Sequence, residues 1–246
     1  MHLWLCPAFA FLLGSVPFGL LIAKARGVDI RAHGSGNIGA TNVLRVVGKK
    51  YGILCLALDI LKGFVPVVVA LSLIWIDGKP SSLSLAFLRD WFGGVEPTPR
   101  PQAQLLHVVT GLCAILGHNF SPWLGFKGGK GIATSAGVVL GLYPFFGVCL
   151  VLVIWLGLFL ATRYVSVASI GAAMALPLLT HLGARFHHVH NDKSLPTLWE
   201  AGQWNKPLFA LSVAIAVMAV WKHRTNIRRL LAGTESRFQR KKNASP

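Results

Sequence analysis

Residues 132–162 read IATSAGVVLGLYPFFGVCLVLVIWLGLFLAT, thirty-one consecutive positions without Asp, Glu, Lys, Arg or His. As one helix this run would extend about 46 Å, well beyond the roughly 30 Å hydrocarbon core of a bilayer. Gly141, Tyr143 and Pro144 punctuate it, so the pattern predicts two short helices, about 132–143 and 144–161. The rest of the chain has the same character. Of 246 residues, 54% are hydrophobic and 13% charged, against about 25% charged in a typical soluble domain. A chain this apolar has too little polar surface to cover itself in water. The same numbers exclude a disordered chain, a collagen-like repeat and a disulfide scaffold. Cys6, Cys55, Cys113 and Cys149 each stand alone inside an apolar run, which gives neither a zinc site nor a disulfide framework.

Further apolar stretches follow outward from this run. Met1–Ala23, Tyr51–Ile76, Leu105–Pro122, Tyr164–Leu182 and Pro207–Trp221 bring the expectation to about seven transmembrane helices, several of them short. The fold class is an all-α polytopic membrane protein, a single integral membrane domain over 1–246. The first stretch lacks the basic flank and small-residue cleavage site of a removable signal, so it is expected to remain. Basic residues set the sidedness. With the N-terminus outside, Lys24, Arg26, Arg31, Arg45, Lys49, Lys50, Lys127, Lys130, Arg163 and eight Lys/Arg after residue 221 face the cytoplasm. Lys79, Arg89, Arg100, Arg185, Lys193 and Lys206 face outward, with five of the eight acidic residues. Segments 77–104 and 183–206 become extracytoplasmic loops, and 236–246 a basic cytoplasmic tail. The net charge of +16 is then mostly topology and attraction to anionic lipid headgroups. Nucleic acid is not a partner, because no soluble basic domain is present.

Two glycine-rich loops on the cytoplasmic side ask for more than topology. The first runs His33-Gly34-Ser35-Gly36-Asn37-Ile38-Gly39-Ala40-Thr41-Asn42-Val43-Leu44-Arg45. Its glycines allow backbone N–H groups to converge on an anion, Ser35, Asn37, Thr41 and Asn42 add short polar groups, and Arg45 adds a planar fork suited to phosphate. The second runs Phe126-Lys127-Gly128-Gly129-Lys130-Gly131-Ile132-Ala133-Thr134 and leads into a helix N-terminus with positive potential. One such loop is equally well a tight turn; two on one side read as a pocket for phosphorylated groups at the membrane surface.

Gly34–Gly39 satisfies GxGxxG, with Asp59 twenty residues beyond. A dinucleotide fingerprint needs a preceding buried strand, however, and here a polar juxtamembrane stretch precedes it. The lysine loop fails the GxxxxGK[ST] spacing. Asp59 and Lys62, three apart within a span, share a helix face, and an internal ion pair is favoured over direct catalysis.

Taken together, these motifs resemble the PlsY-type glycerol-3-phosphate acyltransferases, bacterial enzymes that use acyl phosphate. The resemblance rests on Gly14–Gly19, GSGNIGATNVLR at 34–45, Asp59 with Lys62-Gly63, GHNFSPWLGFKGGKGIAT at 117–134, and His223–Leu230 with Gly233 and Glu235. It implies transfer of a long-chain acyl group from acyl phosphate to glycerol-3-phosphate, giving lysophosphatidic acid and phosphate, without a cofactor or required metal. The family further implies coupling to the enzyme that makes acyl phosphate, and a bacterial plasma (inner) membrane location. By motif position, Ser35, Arg45, Lys130, Asn226 and His223 are the catalytic set. Gly34, Gly36, Asn37, Gly39, Thr41, Asn42, Lys127, Gly128, Gly129, Gly131, Thr134 and His118 bind substrate phosphates.

An acyl phosphate is a mixed anhydride, so holding two anions together and aiming the hydroxyl supplies much of the rate. His118, His223 or a substrate phosphate oxygen is the proton acceptor; substrate assistance is favoured, since no Ser/His/Asp set is visible. His187 and Asp192 match the H-x4-D pattern of acyl-CoA-dependent acyltransferases, but on the opposite predicted side. A transporter for an anionic metabolite is the rival reading, weakened by the absence of an evident inverted repeat. A lipid-binding scaffold would not require two dense phosphate loops.

Overall fold

The computed structural model describes residues 4–76, 83–92, 96–191 and 206–238. The chain divides into two compact units, Met1–Pro144 and Phe145–Pro246. The first holds α1 (Leu5–Ser15), α2 (Phe18–Ala25), α3 (Ala40–Val46), α4 (Lys49–Leu73), α5 (Ala86–Trp91), α6 (Arg100–Asn119) and α7 (Ile132–Leu142). The second holds α8 (Phe145–Thr162), α9 (Val165–Asn191), α10 (Lys206–Lys222) and α11 (Arg224–Leu231). All seven expected apolar stretches are helical, and Tyr143-Pro144 separates α7 from α8. Among the described residues, five helical stretches are long and apolar enough to cross a bilayer, or six with α10 and α11, which meet at a 55° bend. α7 has 11 residues, about 16 Å, half of a span.

Several boundaries differ from the expectation. The first span is not continuous: α1 stops at Ser15 and α2 begins at Phe18, because Pro17 has no N–H and drives Val16 into extended backbone, ψ 119°. The segment 77–104 contains α5 and the first turn of α6. α9 runs to Asn191, into the segment read as a loop from 183. His187 lies on that helix, while Asp192 and residues 239–246 of the basic tail lie outside the described residues.

In the first unit α1 packs on α6 and α4 on α7, with α4 also against α1 and α6. Glycines set these distances. A Cβ on Gly117 would stand 2.2 Å from the Phe11 carbonyl oxygen, one on Gly63 2.2 Å from that of Thr134, and one on Gly137 2.0 Å from that of Ile60. Backbones therefore touch directly, the way spans associate where lipid removes the hydrophobic drive between helices. One apolar cluster joins Ala70 late in α4 and Ile74 just after it to Ala103 and Leu106 early in α6. Another joins Ile38, Val43 and Cys55 to Leu124. α4 and α6 are thus antiparallel, and both glycine loops lie at the same end of the unit.

In the second unit α9 packs against α8 and α10. α8 is apolar on all sides with no buried residue, as suits a helix facing acyl chains.

Two alanine substitutions separate packing from propensity. Gly117→Ala should lower thermal stability in detergent by about 1–3 kcal/mol through overpacking. Gly157→Ala in α8 meets nothing within 4 Å and should leave the melting point unchanged or raise it, since alanine favours helix by about 1 kcal/mol. A thermal melt of both variants checks the pair.

Candidate active site

The break between α1 and α2 leaves carbonyls in the span without helical donors. Side chains supply them: Ser121 Oγ donates to the Ser15 carbonyl at 2.6 Å, and Lys62 Nζ to the Val16 carbonyl at 2.8 Å. Ser15 Oγ donates to the Leu12 carbonyl and accepts from Trp123 Nε1 at 2.8 Å. Lys62 also meets Asp59 Oδ1 at 2.7 Å, and at 2% and 3% exposure Asp59 and Lys62 have no access to solvent. A cation so placed is tolerable only when paired and hydrogen-bonded, and here it is both. The carboxylate reaches further, with His118 Nδ1 3.8 Å from Asp59 Oδ1 and Cys55 Sγ 3.8 Å from Oδ2.

His118, buried in the last turn of α6, underlies the lysine loop. The Gly129 N–H donates to the His118 carbonyl at 3.1 Å. A Cβ on Gly128 would stand 2.0 Å from that oxygen, and one on Gly129 2.2 Å from His118 Nε2. Gly131 caps α7 with φ +78°, a left-handed conformation that glycine adopts without strain, and a Cβ there would meet Asn119 Oδ1 at 2.6 Å. The loop backbone thus rests directly on His118 and Asn119. Lys127 is exposed and Lys130 half-buried. Thr134 is fully buried, its methyl group facing Gly63 in the α4–α7 contact.

The first glycine loop is organised from within. Asn42 is buried; its amide donates to the Ile30 and His33 carbonyls at 3.2 and 3.1 Å, and its oxygen accepts the Ser35 N–H at 2.9 Å. Gly34 closes over it with φ +62°, and a Cβ there would meet Asn42 Oδ1 at 2.3 Å. Asn37 Oδ1 accepts the Gly39 N–H at 2.8 Å. Gly36 and Ser35 are exposed, Thr41 is half-buried, and Arg45 projects from the last turn of α3 with its side chain exposed. The amides thus shape the loop, while Ser35 and Arg45 stand exposed on it.

His223 and Asn226 belong to the second unit. His223 is buried between α10 and α11, its Nδ1 2.7 Å from the Ala219 carbonyl; an N–H there donates to that oxygen. Asn226 Nδ2 donates to Glu235 Oε1 at 2.6 Å, Ser166 Oγ to the same oxygen at 3.0 Å, and Arg229 Nε to Oε2 at 2.8 Å. The Phe238 N–H donates to the Arg163 carbonyl at 2.9 Å, so the chain after α11 folds back onto the α8–α9 turn. Sequence reasoning missed Glu235 as the hub and Ser166 and Arg229 as its partners. Burial pushes the Glu235 carboxyl up, but bonds from Asn226, Arg229 and Ser166 and the Arg229 charge outweigh it and hold the group below its ordinary 4.5.

The family profile described as glycerol-3-phosphate acyltransferase matches residues 4–233. A glycerol-3-phosphate acyltransferase of Aquifex aeolicus is 42% identical over 230 residues, covering 94% of this chain and 96% of that protein. One from Geobacter sulfurreducens is 42% identical over 233 residues, covering 94% and 95%. Among solved structures, the chain is similar to PlsY, an integral membrane glycerol 3-phosphate acyltransferase. Its glycerol 3-phosphate form matches with a TM-score of 0.72 at 36% identity, over 97% of this chain and 96% of that one. The lysophosphatidic acid form matches with a TM-score of 0.70.

The Glu235 hub predicts a pH dependence. Its carboxyl sits below 4.5 when folded, so its stabilisation is complete above about pH 4.5 and lost as pH falls through the lower folded value. Glu235→Gln should lower stability at pH 7 by about 1–3 kcal/mol, the cost of weakened bonds to a charged group. It should also remove the wild-type acid-dependent increment, read from melting points between pH 7 and pH 3.

Proposed function

We propose that this chain, which belongs to the glycerol-3-phosphate acyltransferase family, transfers a long-chain acyl group from acyl phosphate to the glycerol-3-phosphate hydroxyl nearest C1. Lysophosphatidic acid and inorganic phosphate leave. The observation that carries this reading is the pair of cation-bearing glycine loops at one end of a membrane-embedded unit. Both substrates bring phosphate, and one brings a tail that stays in lipid. The donor is acyl phosphate because the loops offer anion contacts and no nucleophile–base pair. Working at the cytoplasmic face of a bacterial inner membrane, the enzyme would draw its donor from the reaction that phosphorylates acyl groups.

In this reading Arg45 and Lys130 neutralise the two phosphates, which otherwise repel each other, and Ser35 lies beside Arg45 as a short donor. Holding the hydroxyl oxygen against the acyl carbonyl carbon converts an encounter between anions into an intramolecular attack. The C–O bond forms as the carbonyl–phosphate bond breaks, and a phosphate oxygen takes the hydroxyl proton. Asn37, Asn42, Gly34 and Gly39 maintain the first loop; Gly128, Gly129 and Gly131 allow the second to lie on His118 and Asn119.

The deciding assay offers palmitoyl phosphate and palmitoyl-CoA separately to purified protein with glycerol-3-phosphate, following lysophosphatidic acid and phosphate. Turnover with acyl phosphate alone is expected. Arg45→Ala or Lys130→Ala should each cost about 10²–10³ in kcat/KM through lost charge stabilisation, and His118→Ala should keep measurable turnover. A folded but inactive His118→Ala enzyme would overturn the substrate-assisted step. Glycerol-3-phosphate flux across proteoliposomes without acyl transfer would replace the enzyme by a transporter.

A further inference from the structure

The contacts around the α1–α2 break close a circuit within the first unit. One arm leaves the Val16 carbonyl, passes to Lys62 at 2.8 Å, to Asp59 at 2.7 Å, to His118 Nδ1 at 3.8 Å, and through the His118 carbonyl to the Gly129 N–H at 3.1 Å. The other leaves the adjacent residue, Ser15, whose carbonyl accepts from Ser121 and whose hydroxyl accepts from Trp123. Both ends of the segment Ser121–Gly129 are therefore tied to two successive peptide groups at one point in the first span.

We propose that Asp59 and Lys62 are positioning residues for phosphate binding by the lysine loop, with the α1–α2 break as their anchor. This rests on the reading that the loop holds a substrate phosphate. Simple neutralisation of two buried charges needs no third and fourth partner, yet Lys62 spends a donor on the broken carbonyl and Asp59 faces His118. The far end has no slack. His118 lies so close under Gly128 and Gly129 that a methyl group does not fit between them, so a tilt of the imidazole displaces the loop backbone. Lys130 and the α7 N-terminus follow directly. A well-packed apolar pair would serve packing alone at no higher cost; the charges give the contact a direction.

A phosphate held by this loop is held in ground and transition states alike, so misplacement appears in KM. The experiment measures kcat and KM for palmitoyl phosphate and glycerol-3-phosphate in wild type, Asp59→Asn, Asp59→Glu and Trp123→Phe. In parallel it records the melting-point shift produced by glycerol-3-phosphate and by inorganic phosphate. Asp59→Asn should raise KM for one phosphate substrate about tenfold with kcat within about threefold, and Asp59→Glu should recover most of that loss. Trp123→Phe, which removes the bond to Ser15 and leaves every charge in place, should raise the same KM about two- to fivefold, in keeping with one lost hydrogen bond.

Unchanged KM values in Asp59→Asn, a loss confined to kcat, or no recovery in Asp59→Glu would overturn the proposal. If Asp59→Asn fails to fold, Trp123→Phe and Ser121→Ala carry the test, and unchanged KM in both overturns it. If wild type shows no turnover with acyl phosphate, the donor assignment fails, and the ligand-induced melting shifts decide separately. A smaller shift in Asp59→Asn supports positioning; an equal shift overturns it.

Discussion

A broken helix inside hydrocarbon must have its carbonyls satisfied from elsewhere. Each unsatisfied backbone group costs several kcal/mol in lipid, where no water can reach it. Pro17 creates that demand in the first span; Lys62 joins the Phe18 N–H at the Val16 carbonyl, and Ser121 bonds that of Ser15. Lys62 then needs a counter-charge, which Asp59 supplies one turn earlier on the same helix. Asp59 in turn faces His118 on α6. One proline thus accounts for a buried lysine, a buried aspartate and the meeting of three helices.

Such a network stays directional only if the helices cannot slide. Gly117 against Phe11, Gly63 of α4 against Thr134 and Gly137 of α7 against Ile60 bring backbones into contact, so that small residues, not side-chain volume, set the spacing. The short α7 belongs to this arrangement. Too short to span, it begins at the capped Gly131 and lies along α4, which holds the lysine loop at the end of the bundle where α6 stops. Packing within the membrane and the form of the loop are therefore one problem: the glycines fix α4 against α7, and α7 fixes where the loop ends.

The sequence made the large features legible because they are set by counting. All seven apolar stretches are helical, the first as two helices, the Tyr143-Pro144 punctuation gave the α7–α8 boundary, and i to i+3 spacing gave the Asp59–Lys62 pair. What could not be counted was partner choice. Pro17 signals a break, but nothing along the chain says that Lys62, 46 positions on, donates to the carbonyl it exposes. Glu235 reads as one more charge in a basic tail until the chain folds back and brings Asn226, Arg229 and Ser166 onto one carboxylate. The end of α9 was missed for a related reason. His187, His188 and His190 interrupt the apolar pattern without breaking the helix, since polarity alone neither removes a backbone donor nor forbids helical φ and ψ.

Burial sorts the polar motif residues into two populations that residue type alone had merged. Asn42, Asn226 and His118 are buried and in contact with the protein itself. Ser35, Arg45 and Lys127 are exposed at the surface. A buried amide with donors and acceptor committed to three backbone groups, as in Asn42, cannot approach a phosphate without dismantling the turn that presents Ser35. Its place in the motif is fixed by the loop, whereas Arg45 stands exposed in the last turn of α3. An asparagine-to-alanine change in these motifs is therefore a change of backbone shape, and an arginine- or lysine-to-alanine change is a change of charge. The two cannot be compared as equivalent losses.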